Sequence, residues 1–186
     1  MSGGIRLETT RLVIRDFVEG DWMAVQEYAS DAGVVKHLEW GPNTGGQTRE
    51  FVSMVMRSSA ENPRSSFELA LELRDSGMVI GASRIGINNA KYCSGDIGYV
   101  LNQAFWGQGY ATESVQALLK YGFETLKLHR IIATTHPDNR ASGRVLEKCG
   151  FRYEGRRRED KLVRGEWRDS LVFSILEQDW GSRKGK

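Results

Sequence analysis

The hydrophobic and polar positions of the chain follow two periods, one typical of strands and one typical of helices. Apolar side chains that alternate with polar ones, or that form short β-branched runs, predict strands. These segments are 11–17, 67–73, 79–87, 95–101, 130–135, a run from Phe151 onward and 167–175. Apolar side chains at helical spacing predict four helices. The helices begin after Asp21, after Thr44, at Ala111 and after Asn139.

Polar residues and glycines set the expected limits of the helices. Asp21 and Asn139 are expected N-caps, because a short polar side chain there accepts a hydrogen bond from a free amide of the first turn. Thr44 and Gln47 have the spacing of a capping box. Gly150 is expected to end the last helix, because glycine readily adopts the left-handed conformation of a C-terminal cap.

The order of the elements predicts the fold class. The turn residues 75–77 join two strands into a hairpin, and the helix that begins at Ala111 extends to about Leu126. The complete order, β-α-α-β-β-β-α-β-α-β-β, predicts an α+β (α/β) domain with a mixed sheet and helices on both faces. We expect this single domain to cover residues 1–180 and a polar tail to cover residues 181–186.

The composition argues against several classes of protein. The 186 residues include 26 Lys and Arg and 24 Asp and Glu, a net charge of +2, which disfavours a nucleic acid as the main partner. No apolar run approaches the roughly 18 residues of a membrane-spanning helix. The first residues lack the apolar core of a signal peptide, so we expect a cytoplasmic protein. Cys93 and Cys149 lie far apart and predict neither a metal site nor a disulfide.

Residues 106–112, which we call the glycine loop, join a predicted strand to a predicted helix and contain Gly107 and Gly109. The first amides of a helix have no partner within it, and the helix dipole adds partial positive charge there. Glycines allow the backbone to approach a ligand and to adopt φ values that a Cβ disfavours. The glycine loop therefore predicts an anion site, most simply for a phosphate.

A second helix N-terminus follows about thirty residues later, at Asn139, with Ser142 in its first turn. If strands 95–101 and 130–135 are neighbours, Asn139 and Ser142 lie near the glycine loop. A ligand with a phosphate at one end and a polar chain at the other would then contact both helix N-termini.

Three motifs together resemble the GCN5-related N-acetyltransferase (GNAT) family. They are Gly107-Gln108-Gly109-Tyr110-Ala111-Thr112-Glu113, Asn139-x-x-Ser142 and Glu147-Lys148-Cys149-Gly150-Phe151. The branch that they resemble contains the ribosomal-protein N-terminal acetyltransferases (the Rim type) and their relatives that act on small amines. The resemblance extends from Leu7 to Asp169, which is most of the chain.

The resemblance implies a mostly antiparallel sheet with splayed middle strands and acetyl-CoA as the co-substrate, without a metal. In the family, the pyrophosphate lies on the glycine loop and the pantetheine arm follows the splayed strand, here 95–101. Trp106 stands where the family usually has Gln or Arg, so backbone amides are the expected pyrophosphate ligands. The expected coenzyme contacts are Val100, Leu101, Gly107, Gln108, Gly109, Tyr110, Ala111, Thr112, Asn139 and Ser142.

Acetyl transfer to an amine needs a neutral amine, a stabilised carbonyl oxygen and a proton for the leaving thiolate. Positioning of both substrates supplies much of the rate, so direct attack in a ternary complex is sufficient. The resemblance implies that Ser142 is the catalytic donor to the leaving sulfur. Glu39, Glu113 and His136 are candidates for the base, and a water chain is an equal alternative.

The expected acceptor is a primary amine, either a protein N-terminus or a small molecule such as a polyamine, an amino acid or an antibiotic. Residues 37–46, which include Trp40, are a candidate wall of the acceptor pocket. A non-catalytic acyl-CoA sensor on the same fold is the alternative. A further alternative is an enzyme that uses the glycine loop as a nucleotide-binding P-loop, although the chain lacks the Gly-Lys-Ser/Thr ending of such loops. The habit of the family suggests a homodimer.

One cluster of basic residues lies in the last predicted hairpin, from Arg156 to Arg168. It alternates with acidic residues, which favours a solvated hairpin face. The alternative is a surface that attracts an acidic protein or ribosomal RNA.

Overall fold

A mixed sheet of eight strands forms the centre of the computed structural model, which describes residues 4–182. The strands are β1 (Arg6–Glu8), β2 (Leu12–Asp16), β3 (Ser66–Leu73), β4 (Val79–Asn89), β5 (Ser94–Leu101), β6 (Arg130–Thr135), β7 (Arg152–Val163) and β8 (Glu166–Leu176). Their order in the sheet is β1-β2-β3-β4-β5-β6-β8-β7. All neighbours are antiparallel except β5 and β6, which confirms the mixed, mostly antiparallel sheet.

Within residues 4–182, six helices accompany the sheet. They are α1 (Trp22–Ala29), α2 (Ala32–Val35), α3 (Gly45–Ser59), α4 (Tyr110–Lys120), α5 (Arg140–Cys149) and α6 (Glu177–Gly181). Short 3-10 turns lie at Glu19–Asp21 and Gln103–Phe105, and a π-helical turn lies at Tyr121–Thr125. Helices α4 and α5 pack on one face and α1 and α3 on the other, as expected.

Two apolar cores join these layers. Successive side chains of a strand point to opposite faces, so Leu69 and Ala70 of β3 enter different cores. Leu69 packs in the core that contains Leu118 of α4, whereas Ala70 packs in the core that contains Val25 of α1 and Val52 of α3. Burial of each large apolar side chain contributes about 1.5–3 kcal/mol. The central strands therefore contribute apolar side chains to both faces.

The parallel strands β5 and β6 separate along their length. Their pairing ends at Asp96 and Ile132. Beyond that point β5 continues along β4 and β6 continues along β8. The sheet thus opens between residues 97–101 and residues 133–135, and we call this opening the fork. It is the splay that the family resemblance implied.

Three expected helix caps are confirmed. The Gln47 amide donates to Thr44 Oγ1 at 3.3 Å, and the Thr44 amide donates to the Gln47 side chain at 2.8 Å. The Ser142 amide donates to Asn139 Oδ1 at 3.1 Å. Gly150 follows α5 with a left-handed φ of 96°. The local polar pattern was sufficient in these cases, because each cap uses partners only a few residues away.

Helix α1 begins after Asp21 as expected, but the side chain of Asp21 does not cap it. A 3-10 turn leads directly into α1, so the backbone at Asp21 is already helical, with φ −68° and ψ −18°. Its buried carboxylate instead accepts hydrogen bonds from the Val18 amide at 2.8 Å and from Arg15 at 2.8 and 3.0 Å. The competing partner, Arg15, lies on β2, and helical spacing gives no sign of it.

Three elements are too short for their periodicity to predict them, namely β1 with 3 residues, α2 with 4 and α6 with 5. The helix expected to reach Leu126 does so as α4 followed by the π-helical turn, in which the Leu126 amide donates to the Tyr121 carbonyl at 3.0 Å. Gly122 lies in this turn. A Cβ there would lie 2.7 Å from Ile131 Cδ1, so the close approach of this turn to the sheet requires glycine.

The expected polar tail is described only in part. Gly181 belongs to α6, and residues 183–186 of that tail lie outside the described residues. Among residues 4–182, no helix has both the length and the apolar character that a membrane crossing requires. The same part of the chain brings together no group of three His, Cys, Asp or Glu side chains suited to a metal ion.

Candidate active site

A cleft of about 1260 Å³ opens at the fork. This volume exceeds the about 300–1,000 Å³ of a typical site for one small ligand, so there is room for two ligands. Its lining includes the glycine loop, the first turn of α5 and the segment after α2. Of the expected contact residues, those in the lining are Val100, Leu101, Gly107, Gly109, Tyr110, Ala111, Thr112, Asn139 and Ser142.

The glycine loop has the conformation that its glycines predict. Gly107 and Gly109 have φ values of 75° and 87°, in the left-handed region that favours glycine. Gly109 stands at the N-cap of α4, and its carbonyl accepts the first helical hydrogen bond, from the Glu113 amide. The amides of residues 110–112 therefore have no helical partner, and these residues line the cleft.

Gln108 is an expected coenzyme contact, but its side chain closes the glycine loop and does not face the cleft. Its side-chain amide donates to the Ala104 carbonyl at 3.0 Å, and its own carbonyl accepts from Arg11 at 2.9 Å. Gln108 is absent from the lining of the cleft. A ligand contact at this position is left to the backbone amide.

Trp106 has a structural role where the family pattern has a polar residue. Its indole Nε1 donates to the Leu101 carbonyl at 2.9 Å, which ties the end of β5 to the glycine loop. The side chain brings no charge to the cleft. The amides of residues 110–112 remain the expected ligands of an anion at the start of α4, and the cleft is also lined by the basic side chains of Arg140, Arg144 and Lys148.

The direction of hydrogen bonding along β5 decides which backbone groups face the fork. The Asn102 amide donates to the Ile80 carbonyl on β4 at 2.9 Å. Because alternate residues of a strand bond to opposite edges, Val100 also bonds to β4, whereas Tyr99 and Leu101 face the fork. The backbone of Val100 is therefore paired with β4, although the residue lines the cleft, so a contact at Val100 is left to its side chain. The backbone groups open to an extended ligand in the fork are those of Tyr99 and the amide of Leu101, since the Leu101 carbonyl binds Trp106.

Tyr99 is a site residue that the sequence analysis missed. Its hydroxyl lies 2.9 Å from Ser142 Oγ and donates to the Ser142 carbonyl at 3.1 Å. Burial raises the pKa of Tyr99 above its ordinary value, and the hydrogen bond with Ser142 only partly opposes this effect. The phenol is thus a neutral partner of the serine. The sequence indicates this residue only as a polar aromatic side chain on the strand face that also contains Ile97 and Leu101.

Glu113, a candidate base, is fully engaged outside the cleft. Its Oε1 accepts from Thr9 Oγ1 at 2.7 Å and from the Arg11 amide at 2.8 Å, and its Oε2 accepts from Arg11 Nε at 2.7 Å. Burial raises the pKa of Glu113, but these hydrogen bonds outweigh burial, so the pKa is lowered overall. The carboxylate joins the start of β2 to α4 and cannot reach the fork.

The two other candidate bases line the cleft but have their own partners. Glu39 forms an ion pair with Lys161 and is largely exposed. His136 stacks on His37 with ring centroids 4.9 Å apart, and its Nδ1 accepts from the Asp138 amide at 3.1 Å. In the neutral ring this bond leaves the proton on Nε2, so His136 has no free lone pair. Burial, followed by the charges of His136 and Lys36, lowers the pKa of His37.

Three charged side chains that the sequence analysis did not single out line the cleft from neighbouring strands, Glu68 of β3, Arg84 of β4 and Asp96 of β5. Arg84 Nε lies 2.9 Å from Glu68 Oε1, and Arg84 Nη1 contacts Asp96. Burial raises the pKa of Glu68 to about 7, although the charge of Arg84 opposes this shift. Only the register of three strands brings these residues together, so no sequence spacing reveals them.

The segment 36–43 forms the outer wall of the cleft, which agrees with the expectation for residues 37–46. Arg164, in the turn between β7 and β8, holds this segment by its backbone. The guanidinium donates to the Gly41 carbonyl at 2.7 Å and to the Trp40 carbonyl at 2.9 Å. Two further contacts of 3.4 Å reach neighbouring carbonyls. The last hairpin therefore positions one wall of the cleft.

Most of the basic cluster between Arg156 and Arg168 is paired within the protein. The pairs are Arg156–Asp169, Arg157–Asp160 and Lys161–Glu39, and Arg168 contacts the Lys36 carbonyl. These contacts favour a structural hairpin face over a basic surface for a partner.

Known proteins share both the sequence pattern and the fold. Residues 11–152, more than half of the chain, match the model of the acetyltransferase (GNAT) domain family. The uncharacterised N-acetyltransferase YnaD of Bacillus subtilis is 38% identical over 179 residues, which cover 95% of this chain and 99% of that protein. The ribosomal protein uS5 alanine N-acetyltransferase of Escherichia coli is 28% identical and covers 95% of this chain and 93% of its own length.

A solved structure supports the same conclusion. The acetyltransferase of the GNAT family from Bacillus anthracis superposes with a TM-score of 0.83 at 36% identity. The match covers 94% of this chain and 99% of that one. The likeness therefore extends over nearly the whole chain and is not confined to one motif.

Proposed function

The chain belongs to the GNAT family of acetyltransferases, and we propose that its cleft holds acetyl-CoA and a primary amine together and transfers the acetyl group directly between them. The observation that carries the proposal is the fork, where a free strand edge leads to unpaired helix amides within one cleft. A coenzyme with amides along its arm and a pyrophosphate at its end satisfies both sets of groups.

The coenzyme occupies the side of the cleft that α4 and α5 form. The pyrophosphate accepts hydrogen bonds from the amides of residues 110–112, and the pantetheine arm pairs with the backbone of Tyr99 and Leu101. Asn139 caps α5 beside the arm and orients the first turn, in which Ser142 lies. The amides of residues 110–112 and of Leu101 and the backbone groups of Tyr99 have no strand or helix partner, whereas the Leu101 carbonyl already accepts from Trp106.

The chemistry needs few groups. The amine nitrogen attacks the thioester carbon, the C–S bond breaks, and the thiolate takes a proton. A backbone amide that faces the fork stabilises the carbonyl oxygen as it gains charge. Ser142 donates a hydrogen bond to the departing sulfur, and the Tyr99 hydroxyl, 2.9 Å away, then turns its single proton from the Ser142 carbonyl to Ser142 Oγ.

A peptide N-terminus is the first acceptor to test, because one relative is named for the alanine of ribosomal protein uS5. Small amines are the second group. The acceptor enters beneath the segment 36–43, on the face of the sheet that α1 and α3 cover. The proposal also includes a cytoplasmic location and a homodimer, and sedimentation of the purified protein tests the dimer.

Release of free thiol from acetyl-CoA is the decisive measurement, with a panel of N-terminal peptides, polyamines, amino acids and aminoglycosides as acceptors. We expect release above the solvent background with at least one acceptor, together with an acetylated product by mass spectrometry. Tight binding of acetyl-CoA without release across the panel would support the alternative, a non-catalytic acyl-CoA sensor. Competition by ATP at micromolar concentration would instead support the P-loop interpretation.

A further inference from the structure

We infer that Glu68 takes the proton from the ammonium group of the acceptor, and that the hydroxyl of Tyr28 helps to bind this group. The inference rests on the proposed acetyl transfer and assigns a base to it. Both side chains line the cleft on the face of the sheet that α1 covers, whereas Tyr99 packs against the opposite core. The amine and the leaving sulfur therefore use groups on opposite faces.

The register of the strands places Glu68 at the start of the fork. Glu68 lies opposite Arg84, and Arg84 lies opposite Gly98. A Cβ built on Gly98 would meet no atom within 4 Å, so the space on this face is open. The pairing of β5 with β6 ends at Asp96, two residues before Gly98. An amine in this open space is next to the place where an acyl chain in the fork would end.

The charges at this position suit a cation. Arg84 Nε contacts Oε1 of Glu68 at 2.9 Å, and Arg84 also contacts Asp96. Among the described residues, Arg84 is the donor that contacts Glu68, and it does so through Oε1. With Glu68 ionised, two carboxylates beside one guanidinium have a net charge of −1, since the nearby Arg64 is paired with Asp16 at 2.8 Å. This charge complements the single positive charge of a primary ammonium.

Tyr28 supplies a neutral acceptor beside this charge. Its side chain is 1% exposed and lines the cleft, and its hydroxyl has no hydrogen-bond partner among residues 4–182. A buried polar group of this kind is expected to have a partner in the working protein. Burial raises the pKa of Tyr28, and the charges of Asp21 and Glu68 add to the shift, so the hydroxyl stays neutral. An ammonium N–H is a suitable partner.

The surroundings of Glu68 also suit proton transfer near neutral pH. The charged groups that act on it are Arg84 of β4, Asp96 of β5 and Arg64 before β3, and its own charge raises the pKa of Tyr28. Burial raises its pKa to about 7, the two arginines oppose the shift, and Asp96 adds to it. A base is most effective when its pKa lies near the pH of the reaction.

The proton balance is complete without any further reactant. Glu68 takes one proton from the ammonium, and the neutral nitrogen then forms the C–N bond. As the C–S bond breaks, the second proton of the nitrogen passes to the sulfur on the side of Ser142. Glu68 afterwards releases its proton to water, so each turnover gives one acetylated amine, one free thiol and one proton.

The test compares wild type and Glu68→Gln with the best acceptor of the panel over a range of pH. We expect kcat/KM to fall about 100-fold or more at pH 7.5 in the variant. In wild type, kcat/KM should fall toward low pH with a midpoint near pH 7, and we call this fall the acidic limb. We expect the variant to lose it. The affinity for acetyl-CoA should stay unchanged, which shows that the variant is folded. Glu68→Asp should recover part of the rate, because it restores a carboxylate.

A weakly basic amine makes the test specific for proton removal. Such an amine is already neutral at pH 7, so Glu68→Gln should slow its acetylation much less than the acetylation of an alkyl amine. A purely structural role for Glu68 would slow both acceptors equally, and this result would overturn the inference. So would a variant that keeps the rate and the acidic limb of wild type.

Glu72→Gln is the matched control. Glu72 lies on the same strand, but Arg15 Nε binds its carboxylate at 2.6 Å outside the cleft. This variant should keep the pH profile of wild type, and a lost acidic limb would contradict the assignment to Glu68. If wild type releases no thiol with any amine, then the proposed function fails and the inference fails with it. If wild type is active and Glu68→Gln is equally active, only the inference fails.

Discussion

The hydroxyl of Tyr99 lies 2.9 Å from the hydroxyl of Ser142, although 43 residues separate them in the chain. Tyr99 stands on β5 at the fork, and Ser142 lies in the first turn of α5. The second hydrogen bond, from the Tyr99 hydroxyl to the Ser142 carbonyl, fixes this turn against the strand. The orientation of the serine thus depends on two elements that share no local sequence.

The variant Ser142→Ala should lower kcat more than it changes KM for either substrate. The hydroxyl acts on the sulfur mainly as charge develops there, so its loss affects the transition state. We expect a fall in kcat of about 10- to 100-fold, which corresponds to about 1.4–2.7 kcal/mol. Steady-state thiol release measures it. Ser76→Ala, in the turn between β3 and β4, is the control, and an unchanged kcat in Ser142→Ala would remove the serine from catalysis.

The variant Gly109→Val should raise the KM for acetyl-CoA at least about tenfold, a loss of about 1.4 kcal/mol or more of binding. Gly109 has a φ of 87°, and an added Cβ would lie 3.3 Å from Arg11 Nη2, so valine changes the direction of the first amides of α4. Gly45→Val is the matched control, since a Cβ at Gly45 meets no atom within 4 Å. Equal KM values in the two variants would contradict the loop assignment.

The variant Arg164→Ala should weaken binding of the acceptor more than binding of the coenzyme. The guanidinium holds the carbonyls of Trp40 and Gly41 in the segment 36–43, which we propose as the wall on the acceptor side of the cleft. We expect the acceptor KM to rise about tenfold, equal to about 1.4 kcal/mol, with little change in the KM for acetyl-CoA. Arg157→Ala, on the same hairpin, is the control. A parallel rise in both KM values would show general loosening of the fold.

The variant Glu113→Gln should reduce stability without a specific effect on the pH profile of catalysis. Loss of charge-assisted hydrogen bonds to Thr9 and Arg11 should lower the free energy of unfolding by about 1–3 kcal/mol at pH 7. The pKa of Glu113 is lowered in the folded state, so its contribution is complete above the unfolded value. This contribution to stability disappears as the pH falls below the unfolded-state pKa of about 4.3 and then through the lower folded-state pKa.

Urea unfolding at several pH values checks this prediction for Glu113. The difference between wild type and variant should be largest at neutral pH and should shrink in acid. Glu50→Gln, at an exposed position of α3, is the control and should show little difference at any pH. A difference that grows in acid would have the wrong sign.

Local patterns predicted the parts of the site whose partners are close in sequence. The left-handed glycines of the glycine loop, the cap at Asn139 and the end of α5 at Gly150 follow from residues within a few positions of one another. The family resemblance added the fork, which periodicity alone does not reveal. Where a distant partner competes, local reasoning failed, as at Asp21, whose carboxylate binds Arg15 of β2 instead of capping α1.

The sequence by itself determined the alternation of strands and helices, the glycine loop at the start of α4 and the family to which these belong. The tertiary structure decided which side chains share the cleft. It brought Tyr99 to Ser142 and aligned Glu68 with Arg84, and it moved Glu113 to Arg11, away from the fork. The physical reason is that periodicity and capping record interactions over a few residues, whereas the position of a charge depends on strand register and on which distant partner it meets.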